Sequence, residues 1–393
     1  MTLSRRFATG VAAVGVAALT LLGAVPATAA TVGSTTSDFV SYYDGEYSAV
    51  SPDKSIMAVS FYSAYEIWFI NTATGTPTKV SDPSSDLDKP GAVVFSPDGS
   101  TLYVANYASG SGNIVVIDVA TAAVTDTLTS GDITGPWTMT ISPDGGTLYI
   151  GDYYGDTLVT YNLSTDVTTT RASLSYPYQM FISPDGSLVY SVDYGGEIDV
   201  FDTGSGLITD TWSDLSAFSP EIYGACVNSD VSVVYAVDST NNAVHAVSTA
   251  DGSILQSNTT DVVSGAYYCS VSPDDSKVFL TNEDVGEANS PDYVATTPGV
   301  IDEFNAADLS FVKSYDVSYV AYTQQMQFYS DCSAWVVGYY GRGQTFDLDN
   351  GACAKLPDTG ASSSVIGTSV AVSAGLLVAG VLALILVRRR QHS

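Results

Sequence analysis

Across residues 45–349 apolar and polar positions alternate in short runs, and no stretch holds a helical period. Residues 137–174 show the pattern. A β-branched and apolar run at 137–142 is followed by the turn Pro143-Asp144-Gly145-Gly146. Three further runs come next, at 147–152, 157–163 and 167–174, rich in β-branched and aromatic residues and bounded by Gly, Asp, Asn or Ser. The set of four predicted strands recurs. "SPDKSIMAVSFY" starts at Ser51, "SPDGSTLYVANY" at Ser96, "SPDGGTLYIGDY" at Ser142 and "SPDGSLVYSVDY" at Ser183. Looser copies start at Asn228, Ser272 and Tyr329, with successive spacings of 45, 46, 41, 45, 44 and 57 residues.

Seven copies of four strands at this period predict an all-β fold, a seven-bladed β-propeller of four-stranded blades. The last copy supplies only three strands, ending at 343–349, whereas a spare run, "DFVSYY" at 38–43, precedes the first. The expectation is that this run completes blade seven and closes the ring, leaving no open edge. The strand-B motifs "LYVAN" (102–106), "LYIGD" (148–152), "VYSVD" (189–193), "VYAVD" (234–238) and "VFLTN" (278–282) resemble the YVTN repeat. That resemblance covers roughly residues 40–350 and implies a seven-bladed propeller of a secreted or surface-layer protein. The first and last copies depart from it: "IMAVS" lacks the aromatic, and Trp335 replaces it in "AWVVG".

The ends carry a different pattern. Arg5 and Arg6, an apolar stretch over 7–25 and the small residues 27–30 read as a secretory signal helix, so residues 1–30 are expected to be removed. At the other end stand Leu356, Pro357, Asp358, Thr359 and Gly360, then 23 uncharged residues at 365–387, then Arg388, Arg389 and Arg390. The apolar span is long enough for a transmembrane helix, with the arginines on the cytoplasmic side. The order LPDTG, apolar span, basic tail resembles the cell-wall sorting signal of Gram-positive surface proteins. The resemblance covers 356–393 and implies a sortase as partner, cleavage between Thr359 and Gly360, and covalent attachment of Thr359 to peptidoglycan. The domain plan is then signal peptide 1–30, propeller 31–355 and sorting signal 356–393.

Export permits disulfides, and none of the four cysteines forms a C-x-x-C pair. Cys226 lies four residues before the turn residue Asp230, and Cys269 five before Asp274. Side chains alternate along a strand, so the two point to opposite sheet faces and can meet across the interface of blades five and six. Cys332 and Cys353 fall at the same end of blade seven. The expected pairs are Cys226–Cys269 and Cys332–Cys353.

Charge narrows the partners. Residues 31–359 hold all 42 acids and 8 of the 13 basic residues, a net charge of −34, which repels nucleic acid. No calcium-loop motif is present, and no cofactor is expected. A weak divalent-cation possibility attaches to the insertion 283–298, with Glu283, Asp284, Glu287 and Asp292; a solvated acidic loop is the stronger reading.

Propellers bind at one end of the ring. Seven residues before each turn Asp stand Glu46, Gly91, Trp137, Tyr178, Tyr223, Tyr267 and Gln324. The ends of strands B carry Ser60, Asn106, Asp152, Asp193, Asp238, Asn282 and Gly338, several followed by tyrosines, including Tyr107, Tyr153, Tyr154 and Tyr194. Aromatics beside carboxylates and amides suit a sugar or a polypeptide; strand-end Asp and Asn also cap turns. The candidate rim is Trp137, Tyr178, Tyr223, Tyr267, Gln324, Asn106, Asp152, Asp193, Asp238 and Asn282. Between 31 and 355 there is one histidine, His245, with no evident Ser or Cys partner, and no zinc spacing, phosphate loop or nucleophile elbow. The reading is a non-enzymatic binding or adhesion module on the cell wall. A propeller hydrolase or lyase and a surface-layer scaffold are the alternatives.

Overall fold

A computed structural model describes residues 31–38, 45–108, 112–218, 220–262, 264–282, 299–317, 323–338 and 342–348. All of them belong to one compact unit, Ala30–Asp349; the other unit, Met1–Ala29 with Asn350–Ser393, lies outside the described residues. The signal segment, the LPDTG motif, the apolar span, Cys353, Tyr339, Tyr340 and the acidic insertion therefore lie outside them too. Among the described residues no helix is long and apolar enough to cross a membrane.

The described strands form seven antiparallel four-stranded sheets. In blade three the strands are Pro136–Ile141, Thr147–Asp152, Thr157–Asn162 and Val167–Ser173, within a residue or so of the alternation pattern. From the ring axis outward these are strands A to D. Polarity grades along that direction: strand B is almost wholly buried, while strand D is mostly exposed and reads VTTTRAS.

Closure follows the expected plan with a different segment. Thr31–Asp38 is the outermost strand of blade seven and pairs antiparallel with Arg342–Asp347, from Thr31 opposite Asp347 to Asp38 opposite Arg342. The expected run began at Asp38 because 39–43 is the more aromatic stretch; residues 39–43 lie outside the described set. Outer strands face water, and TVGSTTSD matches the polar strands D of the other blades.

The core is divided into seven apolar clusters, one at each interface between neighbouring blades. The cluster joining blade seven to blade one holds Trp335, fully buried against Met57, Phe61 and Ile70, with its indole donating to the Thr72 carbonyl at 3.5 Å. Interblade packing thus runs round the whole ring. At the opposite end from the strand-A starts, the A–B turns of blades one to six are knotted by hydroxyls on their aspartates. In blade two the Ser96 hydroxyl donates to Asp98 at 2.6 Å and the Ser100 N–H at 3.0 Å. Gly99 takes φ +73° there, and Pro52 of the preceding turn rests over it, 3.4 Å from where a Cβ would stand. The serine hydroxyls hold the Asp98 and Asp185 carboxyls down at about 2.

Cys226 and Cys269 are bonded, with Cα atoms 5.6 Å apart, across the interface of blades five and six. Gly224 makes that approach feasible: a Cβ there would stand 2.2 Å from the Tyr267 carbonyl oxygen. Cys332 is also disulfide-bonded rather than free; its expected partner, Cys353, lies outside the described residues.

Candidate functional site

The innermost strands of all seven blades enclose a cavity of about 330 Å³. Strand A of every blade contributes to the lining. Ser48, Thr138, Gln179, Ser270, Gln325 and Gln327 supply hydroxyls and amides, beside Met139, Met180 and the Cys226–Cys269 bridge. Among the described residues no acid or base lines it, although the protein is strongly acidic.

Immediately before these channel residues in sequence stand Trp137, Tyr178, Tyr223 and Tyr267, which form the mouth. The structure brings them together. Trp137 lies 5.5 Å from Tyr178 between ring centroids, Tyr178 lies 5.7 Å from Tyr223, and Tyr223 stacks on Tyr267 at 4.4 Å. The tyrosines that follow strands B extend the set outward. Tyr107 is 5.0 Å from Trp137 and stacks on Tyr154 at 4.7 Å, and Tyr62 is 5.9 Å from Trp137. Tyr153 meets Trp137 at 6.1 Å and Tyr176 at 5.2 Å, and the Tyr194 and Tyr223 hydroxyls are 3.2 Å apart. The result is a continuous aromatic surface over blades one to six, centred on Trp137. Edge-on and offset contacts of this kind hold rings in fixed orientations.

Trp137 is half-buried, and its indole nitrogen is inaccessible to water without a hydrogen-bond partner among the described residues. A buried N–H donor ordinarily has an acceptor. Burial, reinforced by a hydrogen bond with a neighbouring tyrosine, lifts the Tyr107 and Tyr194 phenols far above the usual tyrosine value. They remain protonated donors at any physiological pH.

The polar half of the expected rim is placed otherwise. Asn106, Asp152, Asp193, Asp238 and Asn282 are all at most 3 % exposed. Asp152 accepts from the Thr134 hydroxyl at 2.9 Å and from the backbone N–H groups of Gly135 and Gly155 at 3.0 and 2.8 Å. Asn106 accepts from the Asp88 N–H at 2.7 Å and donates to the Asp86 carbonyl at 2.9 Å. Asp193 accepts from the Glu197 N–H, and Asp238 from the Asn241 N–H. The Asn282 backbone N–H donates to the Thr323 hydroxyl at 2.9 Å. Asn106, Asp152, Asp193 and Asp238 thus cap turns and tie loops to strands, whereas the Asn282 side-chain oxygen is buried without a hydrogen-bond partner among the described residues. Gln324 is buried as well, its carbonyl accepting the Thr281 hydroxyl. Ser60 points inward to the backbone of Tyr47, and Phe61 occupies the strand-end place in blade one.

His245 has a partner that sequence reading missed. Its Nδ1 lies 2.8 Å from the Ser257 hydroxyl, and its Nε2 lies 3.8 Å from Asp238. The missing signal was the C–D register, which sets His245 opposite Ser257. The same register sets Asp199 opposite Thr211 in blade four and Asp302 opposite Ser314 in blade six, each pair hydrogen-bonded. Three consecutive blades thus repeat one cross-strand polar brace, and its histidine form is one variant. In blade four burial pushes Asp193 up to about 7, with Glu197 and Asp199 adding repulsion that the Glu197 and Gly196 N–H groups partly offset. Among the described residues no cluster of three or more His, Cys, Asp or Glu could hold a metal ion.

No family model matches the chain, and no curated protein matches it. The chain is similar to a solved structure of Kuenenia stuttgartiensis hydrazine synthase, with a TM-score of 0.61 and 15 % identity, over 79 % of this chain and 96 % of that one. At this identity the likeness shows the propeller fold alone, and fold does not select a function.

Proposed function

We propose that this is a cell-wall-anchored surface protein whose propeller binds a glycan at its aromatic mouth. The observation that carries the reading is the aromatic surface centred on Trp137, above a channel lined by neutral amides and hydroxyls. Sugar rings stack their C–H faces on such surfaces, and their hydroxyls exchange hydrogen bonds with phenols. Binding is favoured over hydrolysis because a glycosidase needs two available carboxylates about 5–10 Å apart. Here the strand-end carboxylates Asp152, Asp193 and Asp238 are used as turn caps, and among the described residues no carboxylate lines the channel.

Two sequence features support display at the wall. The closing strand starts at Thr31, directly after the small-residue site expected for signal cleavage. LPDTG, the apolar span and the arginines stand in the order that a sorting signal requires. The strand-B motifs support a kinship with YVTN-repeat surface proteins.

A screen of neutral glycans against wild type and Trp137→Ala tests the binding reading. Loss of the ring at the centre of the site should weaken the recognised glycan by about 10-fold or more. Equal affinity of the two proteins overturns the reading. Anchoring has its own test: incubation with sortase and a peptidoglycan-mimicking amine should yield a product ending at Thr359. Thr359→Ala should give none, and an uncut wild-type chain contradicts the anchoring.

A further inference from the structure

Blade three breaks the repeat in one place. In blades two, four, five and six the bulge between strands C and D leaves Thr125, Thr209, Leu255 and Val312 without a cross-strand partner, near the end of strand C. In blade three the irregularity falls two residues earlier, between Leu158 and Val159, and the unpartnered residue is Arg171. Bulges re-aim the side chain they release.

Arg171 is directed along the outer circumference toward blade four. Its Nε donates to the Thr160 hydroxyl at 2.9 Å; Thr160 is buried and itself donates to the Thr169 carbonyl at 3.3 Å. Across the interface, a Cβ added at Gly206 of blade four would stand 3.4 Å from Arg171 Nη1. The guanidinium therefore lies in a cleft between blades three and four, with a volume of about 500 Å³. Thr147, Thr165, Thr203 and Ser205 supply hydroxyls, and Tyr149 and Phe201 supply rings. Among the described residues no carboxylate lies within 4.0 Å of the guanidinium. That is notable in a chain with 42 acids and 13 Lys and Arg, where a cation has many carboxylates available.

We propose that this cleft is a second ligand site and takes an acidic saccharide, such as one containing a uronic acid. The guanidinium fork matches a carboxylate with two parallel hydrogen bonds. The threonine and serine walls match the sugar hydroxyls, and the cleft volume lies within the usual range for a small-ligand site. An acidic peptide would satisfy Arg171 while leaving most of the hydroxyl wall without partners. Repulsion from the rest of the acidic surface is screened within about 8–10 Å at physiological salt, so the local fork decides binding. The cleft shares no lining residue with the channel, and the proposal stands independently of the mouth.

The test is titration calorimetry of the full chain with an oligoglucuronide and with its carboxyl-reduced, neutral counterpart. Wild type should bind the acidic oligomer at least about 10-fold more tightly, as expected for a charged hydrogen-bonded pair. Arg171→Gln should remove that preference, and Trp137→Ala should leave it unchanged. Arg171 is exposed, so its replacement leaves the core intact. The proposal is overturned by equal affinity for the two oligomers, by absence of binding to wild type, by an unaltered preference in Arg171→Gln, or by an acidic peptide bound equally well.

Discussion

At the scale of single residues the same side-chain type takes opposite roles according to its place on the repeat. Asp98 and Asp185 of the A–B turns are exposed and wrapped by serine hydroxyls, so their carboxyls sit low; Asp193, buried at the end of a strand, sits at about 7. The consequences for stability have opposite signs. For Asp98 and Asp185 the unfolded chain takes up protons first, so stability falls as pH drops from about 4 toward about 2. For Asp193 the native state holds a proton that the unfolded chain has released, so stability falls as pH rises from about 4 through about 7. Asp193→Asn keeps an oxygen to accept the Glu197 N–H and removes the ionisation. Urea unfolding across pH 4–8 should therefore show the variant gaining on wild type as pH rises, then levelling off above about 7. Parallel profiles would contradict the burial of an ionisable Asp193. At this scale the sequence made the aromatic positions legible, because Trp137, Tyr178, Tyr223 and Tyr267 recur at a fixed offset from each turn. It could not show that Asn106, Asp152 and Asp238 are consumed as caps. Capping depends on where the preceding loop passes, and loop paths are not periodic.

Strands and bridges come next in scale. The Cys226–Cys269 bond closes a loop with a sequence separation of 43 residues. By loop entropy, its removal in the Cys226→Ser, Cys269→Ser double variant should cost about 3–4 kcal/mol of stability, read by urea unfolding. A cost near zero would mean that blades five and six are fixed without the bond. This pair was readable because strand parity and the repeat register together place both sulfurs. The closing strand was only half readable: the missing fourth strand announced that one was needed, whereas hydrophobicity pointed to 38–43 rather than Thr31–Asp38. An outer strand is selected by backbone pairing at a wet edge, which apolar content does not report. Deleting residues 31–38 should expose the edge of Arg342–Asp347, lower the melting temperature and promote concentration-dependent association. An unchanged melting temperature would show that the strand is dispensable.

At the largest scale the unit Ala30–Asp349 is a ring with an apolar cluster at every interface between neighbouring blades. Blade count and four-strand composition were legible in the sequence because each copy repeats its turn and its alternation. The neutral channel was not, since it arises only when seven inner strands face one another. Closure matters for function, because it fixes rings from six blades in one continuous surface around one mouth. Trp137 is the centre of that surface, in ring contact with Tyr62, Tyr107, Tyr153 and Tyr178. The most direct measurement follows the four tryptophan indole N–H resonances, assigned with Trp137→Phe, while the recognised glycan is titrated into the ¹⁵N-labelled protein. A saturable shift confined mainly to the Trp137 signal is the predicted result. A glycan that saturates the protein and leaves that signal in place would contradict the account.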